Sequence, residues 1–404
     1  MNTVHTHVAD KLGLRAQRWS TIALVVGLLA LAAGAFLGNQ HADGFRRFEH
    51  AWLVSCLFFL SISLGGLFFV IVQHLTRAGW SVVVRRVAEF VASNIAVTAL
   101  LIAPLVVLTV LGNGSLYPWA DHDFAMSHVA IAKKAAYLDG RFFALRCVVY
   151  FGTWWLLGRW LLRRSLEQDT SPDAQPTLAL ERRAPPAMIA FALTVNFAAF
   201  DLLMSLSPEW YSTIFGIYFF AGSVVAFFAA AVLSLRFLQR SGLLETSVNV
   251  EHYHDLGKFL FAFVFFWSYV AFSQYMLIWY ADMPEETVWF RVRAHGSWAT
   301  VSYILLFGHF ALPFAGLISR HAKRRLALLT FWAIWLLVMH AVDLFWIVMP
   351  GAETDGVLVR GMDVACFLAV GGIWMFALLR RIGQRSLTPV GDPRLPESLA
   401  FENL

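Results

Sequence analysis

Residues 251–286 have the sequence EHYHDLGKFLFAFVFFWSYVAFSQYMLIWYADMPEE, and this stretch decides the fold. The run from Phe259 to Ala281 carries no charge and is long enough to cross a bilayer as a helix. Ionisable residues crowd both of its ends, and aromatic residues with polar tips, such as Trp267 and Tyr275, lie within it. A helix that serves only as an anchor does not need these polar groups, so the stretch predicts a functional transmembrane helix.

The whole chain has the composition of an integral membrane protein. Of its 404 residues, 59% are hydrophobic and only 14% are charged. Cys56, Cys147 and Cys366 lie far apart in apolar runs, a pattern that predicts no disulfide framework, iron–sulfur cluster or covalently attached haem. The net charge of +5 comes from basic residues that flank apolar runs, which is typical of membrane proteins and argues against nucleic-acid binding.

Ten apolar runs predict ten transmembrane helices in an all-α integral membrane protein. They cover residues 20–38, 52–74, 87–111, 142–162, 186–206, 212–237, 257–281, 295–318, 327–349 and 362–380. The fourth is the weakest, because Arg146 and Arg159 lie within it and must reach opposite membrane surfaces. Lys and Arg residues favour one side by about two to one, which predicts that both termini lie in the cytoplasm.

A faint internal duplication organises these spans. The fifth ends in AAFDLLMSLSPEW and the ninth in HAVDLFWIVMPGA, so that Asp201 corresponds to Asp343. Four crossings return the chain to its starting side, so spans 2–5 and 6–9 predict two parallel four-helix bundles, flanked by spans 1 and 10. The predicted units are residues 1–51 (N-terminal tail and first span), 52–206 (first bundle), 207–350 (second bundle) and 351–404 (tenth span and C-terminal tail).

Three connecting segments have their own patterns. Residues 163–185 are polar and contain proline, which predicts a flexible cytoplasmic linker. Residues 127–138, SHVAIAKKAAYL, have apolar residues at helical spacing, which predicts an interfacial helix on the outer surface. The tail after Arg385 has no apolar period, so we expect it to be disordered or to lie on a partner.

Several of these motifs resemble one protein family. HDLGKFLFAFVFFWSYVAFSQYMLIWYADMPEE (254–286), KKAAYLDGRFFALR (133–146) and FDLLMSLSPEWYSTIFGIYFFAG (200–222) resemble the NrfD-like integral membrane subunits of bacterial alternative complex III, and the first is similar to the ActF type. That complex oxidises quinol and passes electrons to a cytochrome c or an oxidase. The resemblance implies the two-bundle fold and a subunit that is not catalytic alone.

The same resemblance implies the partners and cofactors. The partners would be a second NrfD-like subunit, an iron–sulfur subunit and c-type cytochrome subunits, which hold the haem c and the iron–sulfur clusters. This chain would bind no redox centre of its own. The resemblance leaves open whether it offers menaquinol or ubiquinol a surface, and whether it contributes a proton path.

Ionisable residues inside the spans are the first candidates for chemistry, because a charge within the membrane is costly. Near the outer surface, Asp201 or Asp343 would take the proton of a neighbouring quinol; alternatively, each caps an Arg, Trp or Ser. His309 and His340 lie near the middle of spans 8 and 9, where they would relay protons or pack through hydrogen bonds. His295 and His309 could ligate haem only with partners on other helices, and the sequence lacks that partner set.

A second group of candidates lies at the inner ends of the spans: Glu89, His252, His254, Asp255 and Lys258. They predict a polar entrance to a cytoplasmic half-channel. The alternative is a structural ion pair of Glu89 with Lys258, since these two occupy matching positions in the two repeats. The two histidines alone do not make a metal site. On the quinol side, the candidates are Asp201, Arg146 and His295.

Three functions compete at this point. The first is the membrane subunit of a quinol-oxidising complex. The second is a secondary transporter built from parallel repeats, although the interior prolines Pro104 and Pro313 do not occupy matching repeat positions, as the broken helices of a carrier would predict. The third is a purely structural membrane scaffold, which would need no buried ionisable pairs.

Overall fold

The computed structural model describes residues 10–40, 45–353, 356–383 and 385–403, and helices are the only regular elements of this part of the chain. The first residues of the predicted N-terminal tail, 1–9, lie outside it. Within the described ranges, nine helical segments are long and apolar enough to cross a membrane: Leu14–Asn39, Arg46–Leu75, Val82–Val110, Gln175–Leu206, Phe215–Arg240, Val250–Ala281, Gly296–Leu317, Leu326–Gly351 and Gly361–Ile382. The all-helical fold is therefore confirmed, and these segments indicate a membrane protein.

We number the longer helices in chain order. They are α1 Leu14–Asn39, α2 Arg46–Leu75, α3 Val82–Ala92, α4 Ile95–Val110, α5 Gly140–Gln168, α6 Gln175–Leu202, α7 Phe215–Arg240, α8 Val250–Ala281, α9 Pro284–Arg293, α10 Gly296–Ile304, α11 Leu312–Leu317, α12 Leu326–Val348 and α13 Gly361–Ile382. A π-helix, Leu305–Ala311, joins α10 to α11. Short helices cover His122–Ser127, Val129–Ala132, Arg320–Arg324 and Leu395–Leu399, and 3-10 turns cover Pro118–Ala120, Met204–Leu206 and Met349–Gly351.

The predicted fourth span lies within α5. This helix has 29 residues, which is enough to cross a membrane, but its charged residues leave it less apolar than the nine segments above. The two charged residues within the predicted span have partners: Arg146 donates hydrogen bonds to Asp201, and Arg159 lies 5.5 Å from the ring centroid of Trp155. The tenth span therefore stays a prediction.

α2 and α7 lie at the centre of the molecule. α2 is buried along nearly its whole length and packs against α7, α13, α3 and α6. Gly65 allows the close approach of α2 to α7, because a Cβ atom at this position would overlap Phe227 and lie 2.5 Å from the carbonyl oxygen of Ser223. Small residues commonly mark such contacts between membrane helices.

The other helices contact each other in two groups and one pair. In the first group, α5 packs against α6, α4 and α3, and α2 packs against all four. In the second, α7 packs against α8 and α12, while the π-helix and α11 pack against both α8 and α12. α1 and α13 form a closely packed pair that lies against α2, mainly through α13.

The predicted flexible linker is wrong. α5 continues to Gln168 and α6 already begins at Gln175, so that only residues 169–174 lie outside a helix. The Gln168 side chain holds this connection: it donates to the carbonyl oxygens of Ser171 and Asp173 and accepts hydrogen bonds from Thr177. These local hydrogen bonds replace the disorder that the polar composition predicted.

The outer loop and the C-terminal tail also differ from expectation. Residues 127–138 form one short helix, Val129–Ala132, followed by turns. Over residues 385–403 the tail is not disordered, since it packs against its own chain. The Leu387 amide donates to the carbonyl of Asp10 at 2.9 Å, the Ser398 hydroxyl donates to the carbonyl of Trp80 at 2.6 Å, and Leu395 is buried.

Candidate functional site

A buried polar group lies between α7, α8, α12 and the π-helix. At one end of this group, the carboxylate of Asp343 on α12 is 2% exposed and accepts a hydrogen bond from the Tyr218 hydroxyl on α7. Within the described residues, no Lys or Arg nitrogen lies within 4 Å of this carboxylate. The Tyr218 ring centroid lies 5.6 Å from that of Trp267, so aromatic rings continue from Asp343 to the middle of α8.

His309 lies on the other side of Trp267. The two ring centroids are 3.9 Å apart, and the rings are stacked. His309 belongs to the π-helix, whose widened turn leaves the carbonyl of Gly308 to accept a hydrogen bond from Trp335 Nε1 at 2.7 Å. Short π-helical turns within α-helices occur frequently at functional sites.

His340 completes the group. It lies one turn before Asp343 on the same face of α12. Its Nε2 is 2.8 Å from the hydroxyl of Ser61 on α2. Gly222 makes room for the ring, because a Cβ atom there would lie 3.2 Å from His340 Cε1 and 3.6 Å from Trp267 Cδ1. The structure thus brings three predicted proton-path residues, His309, His340 and Asp343, into one group.

Four nitrogen atoms of this group have no hydrogen-bond partner among the residues that the structure describes. They are Nδ1 and Nε2 of His309, Nδ1 of His340 and Nε1 of Trp267, and all four are buried. Each such atom costs about 1–3 kcal/mol unless something else bonds to it. Buried water commonly fills this role in proteins. The arrangement therefore presents a carboxylate, a phenol and two imidazoles, which are the usual proton-transfer groups.

Asp201, the counterpart of Asp343 in the first repeat, has different contacts. Nε and Nη2 of Arg146 donate to its two oxygens at 2.7 and 2.9 Å, and the Tyr150 hydroxyl donates at 2.7 Å. The Arg146 guanidinium also lies 3.9 Å from the ring centroid of Tyr137. Burial, together with the charge of Asp201, raises the pKa of Tyr137 to about 12. The sequence left open whether Asp201 accepts a proton from quinol or caps a neighbouring arginine. These contacts are those of the second alternative.

Arg293 is the last residue of α9, and within the described residues no carboxylate oxygen lies within 4 Å of its guanidinium. The Arg293 guanidinium donates to the carbonyls of Trp346 and Ile347 at 3.1 and 2.8 Å, and it lies 3.5 Å from the ring centroid of Trp289. Burial lowers the pKa of Arg293 to about 9. Arg293 therefore links α9 to the last turn of α12 by hydrogen bonds to backbone oxygens. The carboxylate of Asp343 is hydrogen-bonded to Tyr218 instead.

Sequence reasoning missed Arg293, Tyr218, Tyr150 and Ser61. The sequence did contain a signal for Arg293. This residue lies just before the third span of the second repeat, and Arg146 lies near the start of the third span of the first repeat. The predicted quinol-side set is divided: Asp201 and Arg146 meet, whereas Nδ1 of His295 bonds to the carbonyl of Arg291 at 2.7 Å. His295 therefore belongs to the start of α10.

The inner candidates form two networks instead of one. Glu89 is 1% exposed, and its oxygens lie 3.4 and 3.1 Å from Nε of Arg85 and Arg86, without the alignment of a hydrogen bond. Lys258 pairs with Asp255 at 2.5 Å. The predicted Glu89–Lys258 ion pair is therefore wrong, because each partner finds an opposite charge within one turn of its own helix.

The C-terminal tail covers the second network. Asn403 Nδ2 donates to Glu251 at 3.1 Å and to Asp255 at 2.9 Å, and Lys258 donates to Asn403 Oδ1 at 3.3 Å. Nε2 of His252 lies 3.4 Å from the hydroxyl of Ser398. The tail therefore lies across the predicted entrance of the half-channel.

His254 lies beside the same network. It is 6% exposed, and its Nδ1 lies 3.7 Å from Asp255 without hydrogen-bond geometry. All the inner candidates on α8 thus share one patch, whereas Glu89 belongs to another.

A comparison of the chain with protein-family models and with curated proteins finds no match. Among the described residues, no group of three or more His, Cys, Asp or Glu side chains could hold a metal ion. The fold and the site define an all-helical protein of membrane-spanning helices with a buried group of ionisable side chains.

Proposed function

We propose that this chain is an NrfD-like membrane subunit of a respiratory quinol-oxidising complex of the alternative complex III type, and that its second bundle carries protons. The resemblance of three long motifs supports the first part. In this proposal electrons pass through the haem c and iron–sulfur clusters of partner subunits, so the chain is not catalytic alone. It lies in a bacterial inner membrane with both termini in the cytoplasm, as the distribution of Lys and Arg favours.

The proposal includes ten spans in two parallel four-helix bundles. α5 is the additional span, since it has the required length and its charged side chains find partners or lie near its ends. α2 to α6 form the first bundle and α7 to α12 the second, which the two groups of helix contacts support. α1 and α13 flank them as a pair.

One observation carries the proton path: the two equivalent carboxylates have different partners. Asp201 is held by two hydrogen bonds from Arg146, and protonating it would leave a buried guanidinium uncompensated. Asp343 accepts a hydrogen bond from the neutral hydroxyl of Tyr218, and no Lys or Arg nitrogen of the described residues lies within 4 Å to hold its charge. A carboxylate with only neutral partners is free to gain and lose a proton without breaking an ion pair.

The rest of the path follows from the neighbours of Asp343. His309 and His340 extend the group toward the membrane centre, and water bonded to their unpartnered nitrogens would connect them to Tyr218 and Asp343. On the opposite side of the membrane, the patch of His254, Asp255 and Lys258 on α8 would admit protons. Both ends of the path therefore belong to the second bundle, with the tail over the inner one.

Purification of the tagged full-length chain from its native membrane tests the complex. We expect partner subunits with c-type haem and iron–sulfur clusters, detected by their visible and paramagnetic resonance spectra, together with quinol oxidation. A monodisperse single chain that catalyses solute uptake in vesicles would refute the proposal and favour the transporter.

A further inference from the structure

A cavity of about 820 Å³ lies at the ends of α5 and α13, away from the buried polar group. Five of its lining residues are arginines and one is a glutamate: Arg159, Arg163, Arg380, Arg381, Arg385 and Glu167. The remaining wall includes Trp155, Leu162 and Ala377. The cavity therefore combines a strongly basic rim with apolar surface, at the end of the helices that we propose to be cytoplasmic.

The local carboxylate does not balance these arginines. Glu167 already accepts hydrogen bonds from Arg163 at 2.8 Å and from the neighbouring Arg164 at 2.9 Å. Within the described residues, Arg159, Arg380 and Arg385 have no carboxylate oxygen within 4 Å. Guanidinium groups that share a cavity repel each other, and this repulsion is relieved when an anion lies between them.

We propose that this cavity binds the phosphate of an anionic phospholipid. The planar guanidinium donates two parallel hydrogen bonds to phosphate oxygens, and basic pockets between transmembrane helices on the cytoplasmic side bind anionic headgroups. Trp155 lines the same cavity, and its ring centroid lies 5.5 Å from the guanidinium carbon of Arg159. On the same helix, Leu156 is 60% exposed and Val148 67% exposed, and they offer an apolar surface along which the acyl chains extend.

The acyl chains distinguish this ligand from free phosphate. Inorganic phosphate would use the arginines alone, whereas the lipid also covers the apolar wall of the cavity and the exposed side chains of α5. The site rests on the proposed orientation, which places these arginines at the cytoplasmic surface. It does not rest on the proposed quinol-oxidising function, because no residue of the buried polar group lines the cavity.

Native mass spectrometry of the detergent-purified full-length chain, titrated with phosphatidylglycerol or phosphatidylcholine, tests this site. The test variant is Arg159→Gln with Arg380→Gln, and the matched control is Arg182→Gln with Arg240→Gln. All four side chains are exposed, and the control pair does not line the cavity. We expect the affinity for phosphatidylglycerol to fall by about fivefold for each cavity arginine that is removed, and the control to match the wild type.

Three results would overturn the proposal. The first is equal binding of both lipids by the wild type. The second is an equal loss of phosphatidylglycerol by the test and control variants, which would indicate diffuse attraction to a basic surface. Alternatively, inorganic phosphate would displace phosphatidylglycerol at equal concentration, which would indicate a site for a free anion. Arg385→Gln provides a second test outside the helices, and it is expected to weaken phosphatidylglycerol binding in the same way.

Discussion

Replacement of Asp343 by Asn separates proton transfer from electron transfer and from folding. Asn is nearly isosteric with Asp, and its carbonyl oxygen still accepts the hydrogen bond of the Tyr218 hydroxyl. No cation within 4 Å loses a partner in the described part of the chain, so we expect the free energy of unfolding to change by no more than about 1 kcal/mol. The side chain can no longer release a proton, however.

The matched change in the first repeat has the opposite consequence. Asp201→Asn removes the charge that faces Arg146, whose side chain is only 11% exposed. Breaking a buried ion pair by removing one partner costs about 3–5 kcal/mol. We therefore expect Asp201→Asn to lower the thermal stability of the subunit clearly, and Asp343→Asn to leave it nearly unchanged.

The assay is proton release per electron in vesicles that contain the assembled complex, with quinol oxidation measured in parallel. Asp343→Asn should reduce the proton yield and leave the oxidation rate largely intact, while Glu285→Gln on the exposed outer segment serves as the control. An unchanged proton yield would reduce Asp343 to a packing residue. Equal loss of both activities in a stable complex would place it at a quinol site and would refute the reasoning.

Three further changes test other parts of the structure. His340→Ala should also lower the proton yield at constant oxidation rate, which the same vesicle assay measures. Gly65→Ala should destabilise the subunit by about 1–3 kcal/mol through overlap with Phe227, whereas Gly152→Ala, with no atom within 4 Å of its new Cβ, should not; thermal unfolding compares the two. Asn403→Ala should speed hydrogen exchange at the start of α8, and unchanged protection there would show that the tail does not hold this end.

The helices could be predicted from the sequence because their signal is a long apolar run. The run from Phe259 to Ala281 fixed the centre of α8, but the helix begins earlier, at Val250. Its first turn is stabilised by a capping box, in which Asn249 and His252 exchange hydrogen bonds. Hydrophobicity alone does not detect this start, because these residues are polar.

Pairings between distant residues were harder to predict. Glu89 and Lys258 occupy matching positions in the two repeats, and this match suggested an ion pair between them. Arg85 and Arg86 lie one turn from Glu89 on the same helix, however, and they pair with its carboxylate instead. The tail was missed for a related reason. Single polar contacts hold it, such as that of Ser398 with the carbonyl of Trp80, and they leave no periodic pattern in the sequence.

Asp201 and Asp343 occupy corresponding positions in the two sequence repeats, but their hydrogen-bond partners differ. In the first repeat, Arg146 binds the carboxylate of Asp201 directly, so that the pair stabilises the bundle only while both charges persist. In the second repeat, Arg293 donates hydrogen bonds to the carbonyls of Trp346 and Ile347 at the end of α12. These hydrogen bonds hold the end of α12 without the carboxylate. In our proposal, Asp343 can therefore gain and lose a proton without breaking an ion pair.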